Sequence, residues 1–100
     1  MMTLRDAADH CEAAWSAYAS RHAIRRDNDQ FYLLKVQEEL GELARRYLEM
    51  TNAEHTHRDE PALRHKFEGD CASLVGNALI LAKHFEVDLD KRIAEKFPLG

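Results

Sequence analysis

One hundred residues with a mass of 11.5 kDa predict a single domain over residues 1–100. Its core should be modest, because a chain of this size buries only about two thirds of its unfolded surface. Hydrophobic residues at 45% and charged residues at 32% exclude a disordered chain, and a formal net charge of -4 argues against a polynucleotide partner, since Arg25-Arg26 and Arg45-Arg46 sit among acids.

The first fifteen residues, MMTLRDAADHCEAAW, are interrupted by charge at Arg5, Asp6 and Asp9 and predict no signal peptide. Thr3 followed by Asp6 is a helix start of the S/T-x-x-acid kind. The first helix is predicted to run to about His22, with Leu4, Ala7 or Ala8, Cys11, Ala14, Trp15 and Tyr18 on one face. Residues 25–29 form a polar turn whose Asp and Asn side chains can cap a second helix. That helix carries Leu33, Val36, Leu40, Leu43, Tyr47 and Met50 as one three-four stripe. Residues 51–60, TNAEHTHRDE, are polar and aperiodic and read as a loop; its His55-x-His57 lacks the neighbouring ligands of a zinc site.

Asp59 and Pro61 mark the start of a third helix, since proline is tolerated in a first turn. It holds Leu63, Phe67, Cys71, Leu74, Ala78, Leu81 and Phe85 in register. A short fourth helix is predicted over residues 88–96, ended by Pro98. The fold class is therefore all-α, a four-helix bundle. Only Ser73 and Asn77 are polar between residues 71 and 82, and a helix apolar around most of its circumference must be covered on more than one side. A homo-oligomer, a homodimer or a homotetramer, is the expected solution. No apolar run reaches the roughly 20 residues of a membrane span. Cys11 and Cys71 form no C-x-x-C pair, which predicts reduced thiols and a cytoplasmic location.

Two segments carry the chemistry. On the second helix Glu38, Glu39 and Glu42 lie three and four residues apart, so their carboxylates share one side. Three like charges this close repel unless a cation neutralises them, and hard oxygen ligands suit Mg²⁺ or Mn²⁺. The plain alternative is a solvated acidic face. On the third helix Asp70, Ser73, Asn77 and His84 form a polar seam beside the apolar stripe. An antiparallel second helix presenting Glu39 and Glu42 would supply its partners, directly or through a metal; alternatively, Ser73 bonds back to a carbonyl of its own helix and Asn77 caps a contact between helices. Trp15 is placed for stacking on a base, or for the core. His84 reads as a satisfied interface histidine.

FYLLKVQEELGELARRYL, residues 31–48, resembles the first signature of the MazG-like nucleotide pyrophosphohydrolases, E-E-x-x-E on a helix. That superfamily also contains the dimeric dUTPases and phosphoribosyl-ATP pyrophosphatase. Its second signature, E-x-x-D, falls on Asp70 and Ser73 when LAKHFEVDL, residues 81–89, is matched to the ending L-A-x-x-h-G-h-D-L. The close at residues 94–97 resembles the family's E-K, and the similarity covers roughly residues 20–97. The sequence departs from the pattern at Asp70, one methylene shorter than Glu, at Ser73, a neutral hydroxyl in place of Asp, and at Glu86, where a glycine is expected.

The resemblance implies a MazG-like bundle, assembled into a homo-oligomer, that hydrolyses a nucleoside triphosphate or related nucleotide to pyrophosphate and a monophosphate. Glu39, Glu42 and Asp70 would hold one or two Mg²⁺ ions, with Ser73 at a weakened fourth ligand position, and Glu38 would position the attacking water. Lys35, Asn77 and Lys96 would contact the substrate, although either lysine equally suits a solvated surface. Ser73 opens a second expectation: a relative that binds nucleotide, metal or a protein partner without turnover. A third is a helical oligomerisation module whose acids are only solvated surface.

Overall fold

A computed structural model of the chain describes residues 2–26, 28–52 and 59–100, and among them every helix begins on a residue chosen for capping. Helix α1, Leu4–Arg21, starts at Thr3 in a reciprocal capping box: Asp6 N–H donates to Thr3 Oγ1 and Thr3 N–H to Asp6 Oδ2, both at 3.0 Å. Helix α2, Asp29–Thr51, is capped by Asn28, whose side-chain oxygen accepts from Phe31 N–H at 2.9 Å. Helix α3, Glu60–His84, is capped by Asp59 and carries Pro61 in its first turn. Helix α4, Leu89–Lys96, is capped by Asp88. The described residues contain no strand, so the all-α class and all four predicted helices are observed. His55 and His57 lie outside the described residues.

Helices α1 and α3 end alike. After α1 the chain turns through Ala23 at φ 53°, with Ile24 N–H bonded to Ala19 O and Ala23 N–H to Ser20 O. After α3 it turns through Glu86 at φ 57°, with Val87 N–H bonded to Ala82 O and Glu86 N–H to Lys83 O. Both are Schellman closures, in which a left-handed residue returns two amides to the last carbonyls. Glycine is the residue this conformation favours, so Ala23 and Glu86 each carry a side chain where the turn would form more easily without one.

Helices α2 and α3 pack antiparallel. Arg46 reaches Asp70 near one end of the pair, and Asp29 reaches His84 near the other. Helix α1 packs on an adjacent side of α3, where Lys83 pairs with Asp9 and a Cβ on Gly76 would stand 3.4 Å from Cys11 Sγ. The short α4 folds back onto the start of α1, its Asp90 carboxylate accepting from Leu4 N–H at 3.1 Å and Arg5 N–H at 3.4 Å. Among the described residues, no helix is long and apolar enough to cross a membrane.

The packing divides three of the predicted apolar faces. On α1 the buried residues are Ala8 and Ala19, Cys11 and Trp15 are half-buried, and Ala14 and Tyr18 are exposed. The face is rotated because α1 approaches α3 through small residues. On α2, Val36, Leu43 and Met50 share the side of Tyr32 and Arg46, which touch α3, while Leu33, Leu40 and Tyr47 are exposed. On α3, Leu63, Leu79 and Ile80 are buried, whereas Ala78 and Phe85 are exposed. A helix apolar on most sides has no preferred buried face of its own; the positions of α1 and α2 select it. The core is correspondingly thin. The radius of gyration is 16.1 Å, against about 13 Å for a compact chain of this length.

Candidate functional site

Three basic side chains are woven through the acidic arc of α2, and one of them, Arg46, reaches Asp70 of α3 across the antiparallel pair. Lys35 Nζ lies 3.1 Å from Glu38 Oε1 and 3.3 Å from Glu39 Oε1. Burial of the Lys35 ammonium works against its charge, yet the bonds to Glu38 and Glu39 outweigh it and leave the pKa raised above 10.5. Arg45 bonds Glu42 at 2.7 Å and Glu49 at 2.9 Å, and the Glu42 bond leads in raising the guanidinium further. Arg46 Nε donates to Asp70 Oδ2 at 3.0 Å, and its Nη1 lies 3.4 Å from Glu49. Pairs one turn apart on an exposed helix contribute little each. The pair between Arg46 and Asp70 has both side chains largely enclosed, at 16% and 19% exposure, and ties α2 to α3.

The three glutamates share an arc but not an environment. Glu39 turns inward with its carboxylate mostly covered, whereas Glu38 and Glu42 remain open. The lysine partner holds Glu38 and Glu39 together, while Glu42 is drawn toward Arg45. The seam on α3 is satisfied in three separate ways. Asp70 takes Arg46, Asn77 Nδ2 donates to Ser73 O at 2.8 Å, and His84 Nε2 lies 2.7 Å from Asp29 Oδ1 while its ring stacks on Tyr32 at 3.8 Å. It is thus Asn77, rather than Ser73, that bonds back along its own helix. His84 is an interface histidine held by α2. Lys96 sits on α4, which packs on α1.

A groove of about 450 Å³ opens between α1 and α3, with Trp15 and Tyr18 on one wall and Ser73 and Asn77 on the other. Its size is that of a small-ligand pocket. Trp15 stacks on Tyr18 at 5.1 Å and on Phe31 at 6.4 Å, and Lys35 Nζ stands 5.2 Å over its ring. The lysine therefore joins the aromatic wall of the groove to the acidic arc.

The donor set of Glu39, Glu42 and Asp70 suits a hard divalent cation in its chemistry. Its arrangement is that of an ion-pair network: among the described residues no three His, Cys, Asp or Glu side chains are grouped so as to hold a metal ion. Each carboxylate would have to exchange a tethered cation for a bound one. Arg45 and Arg46 are the site residues that motif reasoning passes over, and their signal is the three-four spacing to Glu42 and Glu49. No family model, curated protein or solved structure matches this chain.

Proposed function

We propose that this protein is a MazG-like nucleotide pyrophosphohydrolase, a homo-oligomer acting on a nucleoside triphosphate or a related nucleotide with Mg²⁺ or Mn²⁺. The observation that carries the reading is the antiparallel register of α2 and α3. It brings Asp70 of α3 to Arg46, which lies one turn beyond Glu42 on α2. Glu39, Glu42 and Asp70 would hold the ion, which when bound polarises a phosphoryl oxygen and lowers the pKa of a water. Glu38, open to solvent, is the residue to orient that water. Lys35 is within reach of both the acids and Trp15, and would set a phosphate beside a base stacked on the aromatic wall. Asn77 would contact the nucleotide from the opposite wall of the groove. Lys96 belongs to this reading only if a second copy brings α4 to the seam. Two free thiols are in keeping with a cytoplasmic setting.

Melting with and without millimolar Mg²⁺ or Mn²⁺ tests the reading, paired with a screen for pyrophosphate release. A site whose Kd is a hundredfold below the metal concentration adds about 2.7 kcal/mol, which in a chain of this size is a rise of ten degrees or more. Glu42→Gln should abolish the rise. No pyrophosphate from a broad nucleotide panel would exclude turnover.

The Arg46–Asp70 pair favours a second reading, a relative that binds without turnover. Asp70 is already neutralised, and Ser73 adds no charge to the seam. Under this reading Ser73→Asp strengthens metal binding by roughly tenfold or more and brings activity with it. If Ser73→Asp changes neither, Ser73 does not stand at a ligand position.

A further inference from the structure

We propose that the cavity between the start of α1, the end of α3 and α4 binds a small zwitterion with an apolar body, the chemistry of an apolar amino acid. The inference is independent of the catalytic reading. The cavity holds about 440 Å³, within the range of small-ligand pockets, and shares no lining residue with the groove of Trp15. Part of its lining is apolar. Ala8 and Leu79 are buried there at 6% and 7% exposure, and Val87 stands in the wall at 44%.

The charges in its walls decide what it takes. Asp9, Glu86, Asp88 and Asp90 line it, together with Arg5 and Lys83. Most of these are already engaged. Asp9 is held by Lys83, Asp88 accepts from Lys91 N–H, and Asp90 accepts from the Leu4 and Arg5 amides. The Glu86 carboxylate and the Arg5 guanidinium remain, and neither side chain has an ion pair or hydrogen bond among the described residues. One unpaired charge of each sign in a partly apolar cavity matches a ligand that carries one of each. An ammonium would meet Glu86, and a carboxylate would meet the planar fork of Arg5. A simple amine or a simple acid would leave one of the two wall charges without a counterpart.

The backbone at Glu86 is an observation of a different kind. This residue holds φ 57°, where glycine is favoured and a side chain costs stability. Within the chain nothing offsets that cost, because the side chain is exposed and makes no pair among the described residues. A bound ammonium gives the carboxylate a role, in keeping with the tendency of left-handed residues to cluster at ligand sites. Val87 follows it in the chain, and its exposed side chain in the same cavity is apolar surface that an aliphatic body would cover.

Calorimetric titration of the full chain with L-leucine tests this, beside isopentylamine and isocaproate, which keep its aliphatic body and each lack one charge. Leucine should bind, and each analogue at least about tenfold more weakly, because each leaves one wall charge unpaired. Arg5→Met and Glu86→Gly should lower leucine affinity by a similar factor. Glu86→Gly should also melt higher than the wild type, since it releases the left-handed angle, so its loss of binding is not a loss of fold. Glu86→Gln keeps that angle on a residue with a side chain, removes only the charge, and should bind leucine as weakly as Glu86→Gly. Absence of leucine binding at millimolar concentration overturns the proposal. So does an analogue that binds as tightly as leucine, or wild-type affinity in any of the three variants.

Discussion

Ala23 and Glu86 hold left-handed backbone angles that cost an L-residue with a side chain roughly 1–2 kcal/mol. Neither makes up for this with a buried side chain, since both are exposed. Ala23→Gly and Glu86→Gly should therefore each stabilise the protein, by about 1 kcal/mol once the extra freedom of glycine in the unfolded chain is subtracted. Melting should rise by several degrees for each, and additively, because the turns close different helices. Arg46 behaves in the opposite sense. Arg46→Met leaves the enclosed Asp70 carboxylate without its cross-helix partner and should destabilise by about 1–3 kcal/mol in the absence of metal. If Asp70 is a ligand, the same variant should show a larger metal-induced rise in melting temperature than the wild type, because no tethered cation competes. Equal rises in both proteins would remove Asp70 from the metal site.

At the scale of the element, the caps give predictions that depend on pH. The Thr3 backbone amide, followed by its hydroxyl, bonds the Asp6 carboxylate and holds its pKa below 3.8. A depressed carboxyl contributes stability above its unfolded pKa and loses it as pH falls through the folded value. The start of α1 should thus loosen below pH 3.8, and Asp6→Asn should remove that share of the acid dependence while weakening the helix at neutral pH. Lys35 has the reverse sign: its raised pKa means that its bonds to Glu38 and Glu39 persist below 10.5 and fail as pH climbs above it. Asp90 caps α1 from α4, and Asp90→Ala should cost about 1 kcal/mol and raise amide exchange at Leu4 and Arg5. If only α4 loosens, the contact joins the two helices in name alone.

For the whole molecule, the division of labour among helices explains why the core is thin. Helix α3 serves both neighbours, so the large side chains of α2 are spread between a covered side and an open one. A homo-oligomer that covers the open side would bury Leu33, Leu40 and Leu48 together, and stability should therefore depend on protein concentration. Melting temperature should rise with concentration for the wild type and stay constant for Leu40→Arg.

Helix positions were legible in the sequence because they depend on local chemistry. Thr3, Asn28, Asp59 and Asp88 each cap a helix by bonding an amide within three residues, and no distant contact is needed. The acidic arc was legible for the same reason, since Glu38, Glu39 and Glu42 share a side of any helix that contains them. The partners of those acids and the buried faces were settled only by tertiary structure. Periodicity places Leu40 and Leu43 in one stripe, but the stripe is wider than a single neighbour can cover, so the position of α3 decides which is covered. Likewise, Asp70 pairs with Arg46 because the antiparallel register brings them together across twenty-four positions of sequence, a separation over which local spacing carries no information.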